Sequence, residues 1–189
     1  MTRIVAGAAR GRRLEVPAAG TRPTSDRARE GLFNTLAGLL EFDGLVVLDL
    51  YAGSGAVGLE ALSRGAAHVR LVESDRGAAA TIAKNIAALG LSGAALTPSS
   101  VESFLAGARS GGDGAQTFGL VFADPPYALA ELDVASLLAT IADRDVLEPG
   151  GIVVLERSVR SPEPRWPNVI EPLKQKRYGE GVLWYGRRR

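Results

Sequence analysis

The chain has no cysteine and only one histidine, His68, in 189 residues. Without cysteine there is no disulfide framework, no thiolate metal site and no thiol nucleophile. A single histidine likewise excludes a histidine-rich metal centre, so no metal is expected and the chemistry has to proceed without metal or covalent intermediate. Long hydrophobic runs are missing as well. No segment approaches the roughly 20 apolar residues of a membrane span. The opening Met1-Thr2-Arg3-Ile4 lacks a signal-peptide core. The expectation is a cytoplasmic protein without membrane contact. Internal repeats and long low-complexity tracts are also absent, which leaves one domain with a sizeable core and a small appendage.

Charge of one sign is scarce only on average. The net charge is +1. Yet residues 1–30 hold seven arginines against three acids, and residues 157–189 hold nine basic residues against three acids. The stretch between, 31–156, carries six basic residues and fifteen acids. Basic ends on an acidic body suggest a polyanion-binding surface.

Arg3–Val16 reads as a β-hairpin: Ile4-Val5-Ala6, a turn with Gly7 and Gly11, then Arg12–Val16. Pro17–Gly20 is a linker, so residues 1–20 form an extension and residues 21–189 the main domain. From Thr24 a helix is expected, with apolar residues at Ala28, Leu32, Leu36 and Leu39 and Pro23 ahead of the N-cap position. From Gly44 onward, strands and helices alternate. The strands are Leu45–Leu50, His68–Val72, Ala94–Pro98, Phe118–Ala123 and Gly151–Glu156; the helices are Ala56–Arg64, Asp75–Leu89, Val101–Arg109 and Leu132–Asp143. Ser110–Gln116 is a glycine-rich loop, and Ile170–Tyr178 with Val182–Arg187 closes the chain as an antiparallel hairpin. This spacing predicts an α/β fold, a mostly parallel sheet with helices on both faces.

Asp49-Leu50-Tyr51-Ala52-Gly53-Ser54-Gly55-Ala56-Val57-Gly58 places a G-x-G-x-x-G after a strand and before a helix. Glycines there let the backbone turn sharply and approach a ligand. The motif also fits a nicotinamide cofactor. Asp49 weighs against that, because an acid at the strand end repels a pyrophosphate but tolerates a sulfonium and an ammonium group. Glu73, ending the second strand, suits two ribose hydroxyls in either cofactor class. Asp75 reads as a helix N-cap. Ser99-Ser100-Val101 flanks an adenine by position, although Ser100 serves equally as a helix cap.

Asp124-Pro125-Pro126-Tyr127 follows the buried run Leu120-Val121-Phe122-Ala123. Two prolines bar helical geometry at Asp124 and Pro125 and remove two N–H donors. The turn therefore presents acceptors, the Asp124 carboxylate and the Pro125 carbonyl. An exocyclic amine on a base is a poor nucleophile, since its lone pair is delocalised into the ring. Two acceptors on its hydrogens aim the lone pair at a methyl donor, while Tyr127 stacks on the base. Positioning then supplies most of the rate. Methylation at carbon C5 of a pyrimidine, which normally needs a cysteine nucleophile, does not fit this composition.

Asp49–Gly55, Glu73 and the tetrad resemble the class I methyltransferases, in the amino-group branch with an Asp/Asn-Pro-Pro-aromatic motif. A closer resemblance is to the RsmD family of guanine-N2 methyltransferases acting on 16S ribosomal RNA. It is carried by Gly7 with Arg10-Gly11-Arg12, Arg22-Pro23-Thr24-Ser25-Asp26-Arg27, Arg29-Glu30, Leu32-Phe33-Asn34 and Gly58–Arg64. The resemblance implies a Rossmann-like seven-stranded sheet with an N-terminal β-hairpin extension that contacts RNA. It implies S-adenosyl-L-methionine as methyl donor, held by Asp49, Tyr51, Ala52, Gly53, Ser54, Gly55, Glu73, Ser74, Ser100 and Val101. Asp124, Pro125, Pro126 and Tyr127 take the catalytic position. Arg3, Arg10, Arg12 and Arg13, with Arg22, Thr24, Asp26 and Arg27, take the RNA-binding one. The expected partner is ribosomal RNA or a small-subunit assembly particle, met by a monomer. Ser100-Val101 departs from the family's usual amide- or acid-bearing pair, and Tyr127 stands where phenylalanine is usual. An adenine-N6 DNA methyltransferase is the alternative, and a nicotinamide-dependent oxidoreductase a more distant one.

Overall fold

Runs of β-branched and large apolar residues, Val46–Leu50, Val69–Val72 and Phe118–Ala123 among them, set the buried strands. In the computed structural model, which describes residues 2–17, 26–108 and 116–189, Thr2–Arg3 (β1) pairs antiparallel with Arg13–Leu14 (β2). Then follow α1 (Asp26–Leu36), β3 (Val46–Leu50), α2 (Ala56–Ser63), β4 (His68–Glu73), α3 (Arg76–Leu89), β5 (Ala94–Pro98) and α4 (Val101–Gly107). The remainder is β6 (Phe118–Ala123), α5 (Glu131–Asp143), β7 (Leu147–Ser158), β8 (Ile170–Tyr178) and β9 (Gly181–Arg188). Thr24, Arg22 and most of the Ser110–Gln116 loop lie outside the described residues.

Seven strands make up the mostly parallel sheet, and the chain divides into two compact units, Met1–Val101 and Glu102–Arg189. In the first unit β3 and β5 each pair parallel with β4, in the order β5-β4-β3. Helix α2 packs on β3 and β4, and α3 on β4 and β5. Val47, Leu48, Leu50, Val69, Leu71 and Val72 are buried, as a strand covered on both faces requires. In the second unit the order is β6-β7-β9-β8, with β6 parallel to β7 and the last two pairings antiparallel.

Most expected elements are found, β5 and β6 with the expected bounds and others with ends moved by one or more residues. The first hairpin strand is a correction. Ile4-Val5-Ala6 is not strand, because β1 is Thr2–Arg3 and the Val5 and Ala6 N–H groups donate to Glu60 instead of to a ladder. In the main sheet the largest shift is in β7, which runs from Leu147 to Ser158 rather than over Gly151–Glu156. Only its middle, Gly151–Leu155, is continuously buried. Its C-terminal extension is set instead by pairing with β9, Arg157 opposite Val182 and Ser158 opposite Gly181.

Candidate active site

The glycine loop owes its shape to three left-handed residues: Tyr51 (φ 59°), Gly53 (φ 59°) and Gly55 (φ 77°). Such a conformation is ordinary for glycine and strained for tyrosine, and strain of that kind gathers at functional sites. The loop is pinned on three sides. Ala52 N–H donates to the Val72 carbonyl at 3.0 Å, and Gly53 N–H donates to Glu73 Oε2 at 2.8 Å. The third tie was not foreseen. Asn85 of α3, itself buried, donates through Nδ2 to the carbonyls of Ser54 (2.9 Å) and Glu15 (3.0 Å) and accepts from Glu15 N–H at 2.8 Å. An asparagine on the inner face of a helix is the only signal the sequence offers for this link between the loop and the N-terminal segment.

Asp49 is tied to the last glycine of the motif. It is 1% exposed, and its Oδ2 accepts the Gly58 N–H at 2.8 Å. Gly58 has to be glycine: a Cβ there would stand 2.7 Å from Val69 Cγ1 and 3.0 Å from Leu71 Cδ2. Burial pushes the Asp49 carboxyl up to about 8, against the Gly58 hydrogen bond, and the neighbouring Glu73 charge adds to the rise. A cation brought near would favour the ionised form.

Glu73 stands at the end of β4 with both oxygens engaged, Oε2 by Gly53 N–H and Oε1 by Asp75 N–H at 2.8 Å. A carboxylate has about four lone-pair sites, so two remain for hydroxyl donors. Asp75 is the N-cap of α3, accepting from Ala78 N–H at 2.8 Å. Ser74 is exposed. Ser100 directly precedes α4, whose first residue, Val101, is buried. This donor set fits a nucleoside cofactor with a cationic tail: a positive-φ loop, a carboxylate with spare lone pairs, and a buried acid.

In the second unit, β6 ends at Ala123 and the tetrad follows as irregular backbone. Pro125 is buried, Asp124 half-buried and Tyr127 38% exposed, so a large aromatic ring is offered to the surface. The turn is held from beneath by Arg157 of β7, which is 1% exposed. Its guanidinium donates to the carbonyls of Pro126 (3.1 Å) and Leu129 (2.8 Å) and pairs with Glu131 Oε1 at 2.7 Å. Leu129 N–H also donates to the Pro126 carbonyl at 2.8 Å. Arg157 lay inside a run read only for its charge. A basic residue interrupting a buried strand was the missed signal.

The N-terminal segment is bolted to α2. Glu60, fully buried, accepts from Val5 N–H (2.7 Å), Ala6 N–H (2.9 Å) and Arg64 Nε (2.9 Å), with Arg29 Nε at 3.7 Å. Ser63 Oγ accepts from Ala9 N–H and donates to the Ala6 carbonyl. Gly7 packs so tightly there that a Cβ would fall 1.7 Å from the Ser63 oxygen. Arg3, Arg10, Arg13 and Arg27 are exposed. Arg12, though exposed, donates to the carbonyls of Leu89 (2.8 Å) and Ala88 at the end of α3. Asp26 pairs with the buried Arg29 at 2.8 Å.

Residues 2–187 match the family model described as conserved hypothetical protein 95. The chain is 39% identical to ribosomal RNA small subunit methyltransferase D of Escherichia coli K12 over 166 residues, 87% of this chain and 79% of that one. It is 35% identical to a putative rRNA methyltransferase, YlbH, of Bacillus subtilis 168, covering 98% of this chain and 99% of that one. Among solved structures it is similar to the putative methyltransferase yhhF from Escherichia coli. That match has a TM-score of 0.83 at 36% identity and covers 99% of this chain and 97% of the other.

Proposed function

The chain belongs to the family described as conserved hypothetical protein 95, the RsmD family, and on that premise we propose that it transfers a methyl group from S-adenosyl-L-methionine to the exocyclic N2 amine of a guanine in small-subunit ribosomal RNA. The observation that carries the chemistry is the tetrad turn. It carries the half-buried Asp124 and the exposed Tyr127 three residues apart, next to the Pro126 and Leu129 carbonyls that Arg157 holds.

Bound S-adenosyl-L-methionine supplies a methyl group on a positive sulfur, an excellent leaving group. Glu73 accepts the ribose hydroxyls with the lone pairs its two backbone donors leave spare. Asp49 balances the cationic tail, and the left-handed Gly53 and Gly55 let loop N–H groups reach a carboxylate. Tyr51, Ala52, Ser54, Ser74, Ser100 and Val101 border the same ligand. At the other site, Asp124 and the Pro125 carbonyl accept hydrogen bonds from the two amine hydrogens and orient the lone pair. Tyr127 stacks on the base, and one amine proton passes to solvent as the N–CH3 bond forms. Pro126 keeps the turn from becoming helical. Arg3, Arg10, Arg13, Arg22, Thr24 and Arg27 contact RNA, with Asp26 alongside, and residues 1–20 act as an RNA-contacting extension of the 21–189 domain. Arg12 shares its charge between RNA and the end of α3. No metal enters the scheme. The reading carries with it a cytoplasmic monomer acting on ribosomal RNA or on a small-subunit particle.

The test is transfer of labelled methyl to small-subunit particles, naked 16S RNA and duplex DNA, followed by nucleoside analysis. N2-methylguanosine in the RNA is the expected product. Label in N6-methyladenosine of DNA alone overturns the reading in favour of the DNA enzyme. A thermal shift with nicotinamide dinucleotides and none with S-adenosyl-L-methionine overturns it altogether.

A further inference from the structure

The second unit carries an open recess of about 200 Å³ that the tetrad does not use, lined by Glu163, Trp166, Pro172, Lys174, Gln175 and Trp184 among others. The chain has two tryptophans, and both are here. Trp166 packs against β9 where Gly186 has no side chain: a Cβ there would stand 2.8 Å from its Cζ3. Trp184 precedes Gly186 by two residues and so shares its face of the strand. The cross-strand partner of Trp184 is Gln175 on β8. Between Pro172 and Lys174 the β8 register shifts by one residue, a bulge that re-aims the neighbouring side chains. Trp166 and Trp184 are half-buried, and the Nε1–H of each is buried without an acceptor among the described residues.

Such a recess falls below the roughly 300–1,000 Å³ of drug-sized pockets and has room for a single planar ring system against an aromatic wall. Its surroundings are basic. Lys174 lines the recess, Arg177 is exposed two residues from Gln175 on the Trp184 face, and residues 157–189 carry nine basic residues against three acids. Glu163 at the rim disfavours a phosphate inside the recess, while its carboxylate accepts from the N–H edge of a base. Planar rings on a polyanionic thread describe single-stranded nucleic acid, which binds by base stacking on aromatic side chains beside cationic backbone contacts. We propose that this recess holds one unstacked base of the RNA, distinct from the nucleotide that is methylated, with flanking phosphates on Lys174 and Arg177. The proposal rests on the reading that the chain acts on RNA.

The two tryptophans make the native protein its own probe. Titration with single-stranded oligoadenylate should quench the intrinsic fluorescence saturably, and equal phosphate added as pyrophosphate should not. Trp184→Ala should weaken oligoadenylate binding, read by anisotropy of a labelled strand, by roughly tenfold to a hundredfold. Its affinity for S-adenosyl-L-methionine should stay unchanged, and Trp184→Phe should restore most of the RNA binding. Absence of quenching, or equal quenching by pyrophosphate, overturns the proposal. Quenching by a proline-rich peptide and not by RNA overturns it in favour of a protein partner. Asp124→Ala should quench as the native protein does. Methyl transfer to RNA without quenching overturns the recess alone; quenching without any transfer supports the recess and overturns the methyltransferase reading.

Discussion

Two carboxyl groups are placed in opposite circumstances. Asp49 is shut inside the first unit and touches a single backbone donor, whereas Asp124 stands half-buried at the end of β6. Asp124 acts on the amine, so Asp124→Ala should lower kcat by roughly 10²–10³, the scale of losing one positioned acceptor or donor. S-adenosyl-L-methionine affinity, measured by calorimetry, should not change; equal loss of both would remove the assigned role. Asp49 leads to a pH prediction. Its folded value lies near 8, above the ordinary carboxylate value of 3.8. Between those values the folded state holds a proton that the unfolded state has released. Stability therefore falls as pH rises from about 4 to about 8 and levels off beyond, once both states are ionised. Asp49→Asn keeps an acceptor for Gly58 N–H and cannot ionise. Urea denaturation of the two proteins at pH 5, 6.5, 8 and 9 should show the variant gaining on the native protein up to about pH 8 and no further. A difference independent of pH would mean that Asp49 is already ionised in the folded protein.

At the scale of elements, the working parts are turns held by buried polar residues from elsewhere in the same unit. Arg157 is the case that matters most for turnover, since three of its contacts hold Pro126, Leu129 and Glu131 in place. Arg157→Lys keeps the charge but loses the planar fork that spans those groups. It should lower kcat by roughly tenfold to a hundredfold, as misplacing a catalytic turn by a fraction of an ångström does, with cofactor affinity intact. A rise in KM alone, with kcat preserved, would show that the turn tolerates the loss. The strand and helix periods, the glycine loop and the Asp-Pro-Pro-Tyr turn were legible in the sequence because each is written in consecutive residues. Glu60, Asn85 and Arg157 were not. Apart from Arg64, four residues from Glu60, their partners lie 31 and 54–55, 31 and 70, and 26–31 residues away, respectively, and no local pattern distinguishes a buried ion from a solvated one. The Gly58–Arg64 stretch that helped carry the family resemblance gains a physical reason from these contacts. Gly58 admits Asp49 and β4, Glu60 and Ser63 grip the N-terminal segment, and Arg64 lies 4.6 Å over the Phe33 ring. Much of that motif is interlock rather than chemistry.

For the whole molecule the uneven charge is the property that acts at long range. A chain of net charge +1 has little overall attraction for RNA, but the basic residues gathered at 1–30 and 157–189 give it local fields of the right sign. Charge alone does not say which arginines meet phosphate and which hold the fold together. Arg10 and Arg13 are exposed on the N-terminal segment, whereas Arg12 donates to the last carbonyls of α3. The three should therefore separate experimentally. Changing Arg10 and Arg13 together to Ala should weaken RNA binding and flatten the plot of log affinity against log salt by about 1.4 to 1.8, the release of two counterions. The melting temperature should not move. Arg12→Ala should cost about 1 kcal/mol of stability in urea titration, the worth of a cation at a helix C-terminus. It should change the salt slope by less than one phosphate contact, because its charge is already shared with Ala88 and Leu89. If Arg12→Ala instead lowers the slope fully and leaves stability untouched, the helix tie gives way on binding and all three arginines act on RNA alike.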